Sequence, residues 1–320
     1  MFERSSRKAR SWLSIVGAAA AVALAVTGCG STGGNGAQSP KTDQGDNELF
    51  QLLPEEVQKS GVLIIGTDPG YPPCDFVDNS TGDIAGYNHD ILKVMEPHLG
   101  VEIRQEALQF DGLIPGVQSG RFQGAMECIS DNEERRKVVT FVDNAYGANG
   151  LMVMKANPAG VTENPLSMCG VKAGVQTATN FVQNAEVFSQ NCEANGLPPL
   201  AVTEFPSAAD VSTALEAGQI NATFTSLATA RWQESQGREV ESFASPLIPS
   251  DYHGIVVGKD ETDLAKALTG ALEAAIADGT YQEALKKWNL EELALLEPGI
   301  NLGETRPLED PELCGACGLE

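Results

Sequence analysis

The sequence predicts an α/β protein, because from Gly61 onward short apolar runs alternate with segments of helical periodicity, separated by Gly, Asn, Asp and Pro. Val62 to Thr67 (VLIIGT) is apolar throughout, as befits a strand buried on both faces. The following NHDILKVMEPHLG sets Ile91, Leu92, Met95 and Leu99 on one helical face and ends at Gly100, a residue suited to the left-handed position after a helix. Strand and helix in alternation imply sheets covered by helices.

The rest of the chain continues the pattern. VEIRQEA from Val101 reads as a second strand. FDGLIPGVQSG offers Asp111 as a helix N-cap, with Leu113, Ile114 and Val117 facing inward. GAMECI and VVTFV supply a third and a fourth strand. After Gly150 come GLMVMK, GVKAGV, a helix over 180–191, AVTEF, a helix over 208–217, and INATF. Near the end HGIVVGK reads as a strand, and TDLAKALTGALEAAIADG spaces Leu264, Leu268, Leu272 and Ile276 for a long amphipathic helix.

The first residues bear on compartment. Arg4, Arg7, Lys8 and Arg10 precede an uncharged, mostly apolar run over 12–26 that ends in VTGC at Cys29, the pattern of a signal peptide over 1–28. The run is too short for a comfortable bilayer span. Thr27 and Gly28 before Cys29 resemble the lipobox of bacterial lipoproteins, so Cys29 is expected to carry the lipid. Residues 29–47 hold almost no large apolar side chain and read as a flexible tether. Without residues 1–28 the chain keeps 17 Lys and Arg against 43 Asp and Glu, a net charge of −26. That acidity argues against nucleic acid as a partner and for solubility outside the cell. About 250 residues remain, enough for two modest domains.

Six cysteines follow Cys29, and in an oxidising compartment disulfides are the default. Fifteen pairings are open to six cysteines; proximity in sequence suggests Cys169 with Cys192 and Cys314 with Cys317, leaving Cys74 with Cys128. Cys314 and Cys317 supply two metal ligands with no second pair nearby, so no metal is expected, and no cofactor either. The sequence has no phosphate-binding G-x-x-x-x-G-K-[ST] loop and no G-x-S-x-G elbow. His89, His98 and His253 are scattered and read as surface or packing residues.

Three segments in order carry a resemblance: GTDPGYPPCDF from Gly66; FDGLIPGVQSGRF from Phe110 with ISDNEERRKVVTFVD from Ile129; and HGIVVGK with ALEAAIADGTYQEALKKWNL. Together, over about Gly61 to Leu290, they resemble the polar amino-acid-binding receptors of the bacterial extracellular solute-binding protein family 3. The resemblance implies a two-lobed periplasmic-binding-protein type II (Venus flytrap) fold with two crossover hinge strands. Lobe 1 would comprise 61–146 and 253–296, lobe 2 would comprise 151–247, and 297–320 would be a C-terminal tail. Gly147, Gly150 and Gly254 fall at the expected crossovers, where a hinge must absorb rotation.

The resemblance also implies site residues. Arg135 matches the residue that holds a ligand α-carboxylate, a task suited to a planar fork donating two parallel bonds; Arg136 and Lys137 beside it are expected to be solvated. Ser130 matches a hydroxyl donor to that carboxylate, and Thr179 a donor near a helix N-terminus, where amides favour an anion; Thr179 could equally be a plain N-cap. Asp68 matches an acid for the polar end of the ligand side chain, with Tyr71 and Phe110 as flanking aromatics. Cys74 and Cys128 replace an aromatic and a small hydroxyl residue on adjacent loops, which makes a bridge between them reasonable. Ser226 stands where similar receptors carry an Asp for the α-ammonium, and Glu127 is the candidate compensator, pointing into the cleft or away into solvent. The implied function is capture of an amino acid or similar cationic or zwitterionic molecule by a lipid-anchored monomer outside the cytoplasm, for an ABC permease. A dehydratase-like enzyme on the same fold, or a sensor for a signalling partner, are the alternatives.

Overall fold

The computed structural model describes residues 47–308. The expected leader, Cys29, nearly all of the tether, and Cys314 and Cys317 lie outside the described residues. The chain enters through α1 (Glu48–Gln51) and α2 (Glu55–Ser60), the first capped by Asn47 Oδ1, which accepts from the Leu49 and Phe50 amides. Next come β1 (Val62–Thr67) and a small antiparallel sheet of β2 (Gly70–Tyr71), β3 (Asp75–Val77) and β4 (Ile84–Ala85). Then follow α3 (Tyr87–Leu99), β5 (Glu102–Ala107), α4 (Leu113–Gln118), β6 (Gly124–Ala125), α5 (Glu133–Arg136) and β7 (Val139–Gly147). Asp111 is not the cap of α4: it lies inside a 3-10 turn, Phe110–Gly112, and Gly112 takes the cap position.

The second set of elements is β8 (Asn149–Met154), β9 (Lys172–Gln176), α6 (Asn180–Ala194), β10 (Ala201–Phe205), α7 (Ala208–Glu216), β11 (Ala222–Ser226), α8 (Leu227–Ser235) and β12 (Val240–Phe243). The chain returns through β13 (Asp251–Gly258), α9 (Thr262–Ala277), α10 (Thr280–Lys286), β14 (Ala294–Ile300) and α11 (Leu302–Thr305). Two principal sheets result, ordered β14-β7-β13-β6-β1-β5 and β10-β9-β11-β8-β12. Each mixes parallel and antiparallel pairs: β1 runs parallel to β5 and β6, whereas β13 is antiparallel to β6 and β7. The result is two α/β lobes, and the chain passes between them after β7 and again before β13.

Each lobe has its own core. In the first, Ile91, Leu92, Met95 and Leu99 of α3 pack with Leu264, Leu268 and Leu272 of α9 in one fully buried cluster. Burial of each such side chain stabilises by roughly 1.5–3 kcal/mol. In the second, Leu151, Val153, Val175 and Phe188 surround Phe224, whose ring meets that of Phe188 edge-on at 5.2 Å. Cys74–Cys128 joins the loop after β2 to the segment after β6, and Cys169–Cys192 joins the approach to β9 to α6.

The crossover is built for close approach. A Cβ on Gly147 would come within 1.8 Å of Asp251 Oδ1 and 2.5 Å of His253 Nε2, so no side chain fits there. Residues 297–308 are not a tail. β14 pairs with β7, the Leu302 amide donates to Asp143 Oδ2 at 2.6 Å, and the Gly303 amide donates to Asp131 Oδ2 at 2.8 Å. Arg136 is not solvated either: its Nη1 lies 2.7 Å from Asp131 Oδ1, whose side chain is fully buried. Burial and the neighbouring Asp131 push the Asp143 carboxyl well above the usual carboxylate range.

The Cys169–Cys192 crosslink closes a loop of 23 residues, and chain-entropy reasoning assigns such a loop about 3 kcal/mol. The double serine variant is expected to lose about that much in urea unfolding of the second lobe, with the Cys74–Cys128 bridge intact by non-reducing peptide mapping. An unchanged midpoint, or a different pairing in the map, would contradict this.

Candidate ligand-binding cleft

Loops from both lobes meet at a small chamber of about 20 Å³, room for about one water. Seven of the eight residues expected from the sequence line it: Tyr71, Phe110, Glu127, Ser130, Arg135, Thr179 and Ser226. Asp68 does not. Its Oδ2 accepts from the Phe110 amide at 3.1 Å, which anchors the turn carrying Phe110, and burial pushes its carboxyl up against that bond.

Arg135 sits in the one-turn helix α5, which Asn132 caps by accepting from the Arg135 amide at 2.9 Å. Its guanidinium reaches across the chamber. Nη1 donates to the Ser130 carbonyl of the first lobe, and Nη2 to the Ala178 carbonyl of the second, both at 2.9 Å. Its carbon lies 5.5 Å from the centroid of the Phe110 ring, within cation–π range. The residue is half-buried by accessible surface because it faces the chamber, yet it lies deep in the protein. That desolvation lowers it to about 10, still charged at neutral pH, while Asp251, Glu127 and Asp131 pull it up.

Opposite stands the N-terminus of α6, fifteen residues long, whose free amides favour an anion. Thr179 occupies its cap position without capping: Oγ1 donates to the Gln176 carbonyl at 2.6 Å. Tyr71 ties the lobes together. Its hydroxyl accepts from the Ser226 amide at 2.7 Å and shares a hydrogen bond with Thr225 Oγ1 at 2.8 Å. Ser226 Oγ is itself occupied as the cap of α8, accepting from the Ala228 amide at 3.2 Å.

Glu127 is 3% exposed and its Oε1 is buried without a hydrogen-bond partner among the described residues. Burial, reinforced by Asp68 and Asp75, holds its carboxyl well above the usual range, with Arg135 pulling it down. Asp75, fully buried behind the Cys74–Cys128 bridge, accepts from Asn88 and Gln105 and is pushed up to about 7. Cys128 holds φ at 42°, a left-handed conformation uncommon outside glycine, and its loop is pinned by the disulfide.

Five lining residues had no role assigned from the sequence: Asn149, Gln176, Asn180, Phe181 and His253. Asp251, just behind, accepts from Asn149 Nδ2 at 3.1 Å and Asn180 Nδ2 at 3.2 Å. His253, read above as surface or packing, is buried in the chamber wall with Nε2 3.5 Å from Asp251 Oδ1. Burial lowers its imidazole, against the pull of Asp251. Among the described residues no group of three or more His, Cys, Asp or Glu is arranged to hold a metal ion.

A cleft between two lobes with an enclosed guanidinium, a helix N-terminus and buried acids defines a receptor for a small charged molecule. The chain belongs to the bacterial extracellular solute-binding proteins, family 3, whose sequence profile matches residues 63–291. It is similar to the arginine-binding protein ArgT of Corynebacterium glutamicum, 29% identical over 257 residues, which are 79% of this chain and 83% of that one. It is also similar to the ABC transporter glutamine-binding protein GlnH of Bacillus subtilis, 27% identical over 286 residues, or 88% and 97% of the two chains. Among solved structures, an ancestral amino acid-binding protein described as a precursor of cyclohexadienyl dehydratase superposes with a TM-score of 0.65 at 27% identity, covering 74% of this chain and 99% of that one.

Replacing Arg135 by Met is expected to cost about 3–5 kcal/mol of ligand binding, two to four decades in affinity, because an enclosed carboxylate would lose its charged partner. Calorimetry on variant protein of unchanged melting temperature checks this, and retained affinity would reduce Arg135 to a structural strut between Ser130 and Ala178.

Proposed function

We propose that this chain is a lipid-anchored monomer outside the cytoplasm that captures an amino acid bearing one carboxylate and one cationic group, and presents it to an ABC permease. The observation that carries the reading is that Arg135 and the buried Glu127, whose Oε1 has no hydrogen-bond partner among the described residues, line one chamber. Arg135 with Ser130 and Thr179 would take the carboxylate, helped by the α6 N-terminus. Glu127, with Asp68 behind Phe110, would face the cation, and the rings of Tyr71 and Phe110 would cover the aliphatic stem. Names of relatives support the ligand class: one similar protein is named for arginine, another for glutamine and an ABC transporter. The lipobox at Cys29 supports the anchor.

One neighbour favours a second reading. The ancestral binding protein described as a precursor of a dehydratase shares this fold, and a buried carboxyl with a raised pKa is the type of group that acts as a general acid. Turnover of a bound compound would decide for catalysis.

A thermal-shift screen of basic, amide, acidic and N-methylated amino acids is expected to give its strongest stabilisation with a cationic member and none with glutamate, whose second carboxylate would meet Glu127 and Asp68. A glutamate-only response would sink the reading. The screen also has a signed pH dependence. Burial raises the Glu127 pKa in the free protein and a bound cation favours the ionised form, so capture is coupled to proton release wherever Glu127 is protonated in the free protein. Affinity for a cationic ligand should therefore rise with pH until Glu127 is ionised in the free protein. Glu127→Gln should flatten the dependence and weaken the cationic ligand at high pH.

A further inference from the structure

An α-amino acid held by its carboxylate at Arg135 carries its ammonium one carbon away, so the groups that receive it must line the same chamber as Arg135. An ammonium donates three hydrogen bonds and accepts none. Glu127 Oε1 is one side-chain oxygen of the chamber without a donor. Two asparagines supply others. Asn149 opens β8 and stands opposite Ser226 of β11 in antiparallel register, which sets the two side chains next to each other on one face of the sheet. Asn180 opens α6, and both asparagines line the chamber.

The two amides share one partner. Asn149 Nδ2 and Asn180 Nδ2 donate to the same atom, Asp251 Oδ2, at 3.1 and 3.2 Å. A carboxylate only accepts, so it selects the amide orientation with nitrogen toward Asp251 and carbonyl oxygen away from it. Neither Oδ1 has a hydrogen-bond donor among the described residues. Asp251 is itself fixed in place. It begins β13 opposite Gly147, and its Oδ1 occupies the space that a side chain at Gly147 would need. It sits on the returning crossover, whereas both amides belong to the second lobe. Ser226 cannot take over the same task, because its hydroxyl accepts from the Ala228 amide as the cap of α8.

On the reading of the cleft given above, we propose that Asn149 and Asn180 are specificity-determining residues that accept the ligand's α-ammonium through their Oδ1 atoms, and that Asp251 is the positioning residue that orients both amides. Glu127, in the same chamber, supplies the negative charge that two neutral amides lack. The site thereby separates an α-amino acid from the same acid without its amino group.

The test is calorimetric titration of the full chain with L-arginine and with 5-guanidinopentanoic acid, which keeps the carboxylate and the guanidinium and carries hydrogen in place of the α-ammonium. The readout is the ratio of the two affinities, because damage to the fold or to the Arg135 end of the site weakens both ligands alike. Wild type is expected to bind arginine at least about a hundredfold more tightly, from several hydrogen bonds to a charged group. Asn149→Ala and Asn180→Ala should each lower that ratio about tenfold by weakening arginine, with the des-amino compound within about twofold of its wild-type affinity. Asp251→Asn, which can turn its own amide either way, should lower the ratio too. Asn180 is the less buried of the two asparagines, so Asn180→Ala carries the comparison if Asn149→Ala melts early. A ratio near one on wild type, an unchanged ratio in the asparagine variants, or equal losses for both ligands would overturn the proposal and leave the carboxylate site at Arg135 standing. If neither compound binds wild type, the reading of the cleft fails and this subsite with it.

Discussion

Arg135 is the constraint around which the interlobe region is organised. A guanidinium placed this deep must be compensated, and here two backbone carbonyls from different lobes, three acids and one aromatic face share that task. The carbonyls take only part of its donor capacity, since a guanidinium has five N–H groups in a fixed plane. What remains faces the chamber together with Ser130 and the first amides of α6. The acids are the other half of the same constraint. Glu127 without Arg135 nearby would be a buried carboxyl with nothing to offset its burial, and Arg135 without Asp251, Glu127 and Asp131 would be driven further from its ordinary value.

The supporting structure keeps these groups in place from behind. Asn132 caps the short helix that carries Arg135; Asp131 pairs with Arg136 and accepts from Gly303, so the C-terminal residues packed on β7 brace the loop that presents Ser130 and Arg135. On the other side the Cys74–Cys128 bridge joins the loop after Tyr71 to the residue beside Glu127. A wall stiffened in this way loses less freedom when a ligand is enclosed. Gly147, which no side chain could replace, lets Asp251 and His253 reach the crossover.

Much of this was legible in the sequence because it is local. The strand Val62–Thr67, the α3 face at Ile91, Leu92, Met95 and Leu99, and the α9 stripe all follow from the sequence pattern; the α3 face and Leu264, Leu268 and Leu272 are fully buried, whereas Val62, Ile64 and Ile276 are partly so. What escaped was short or non-local. GAMECI supplies only two strand residues, Gly124–Ala125, since the chain turns away at Met126 to form the cleft wall. α8 and the β2–β3–β4 sheet went unread because nine residues of weak amphipathicity and strands of two or three residues give no periodic signal. His253 and Asp251 join the cleft through long-range pairing, His253 bridging to Ser130 across the sequence, which nothing in their own neighbourhood announces. Arg136 looked, like Lys137, to be a solvated cation; its partner Asp131 is buried by residues more than 160 positions away, around Leu302 and Gly303.

The central claim is that Arg135 reads a carboxylate, and it is tested most directly by changing the ligand and not the protein. Calorimetry should compare L-arginine with L-argininamide, which keeps both cationic groups and replaces only the carboxylate by a neutral amide. The account requires the amide to bind at least about a hundredfold more weakly, the cost of leaving an enclosed guanidinium without its anion. Equal affinity for the two compounds would contradict it.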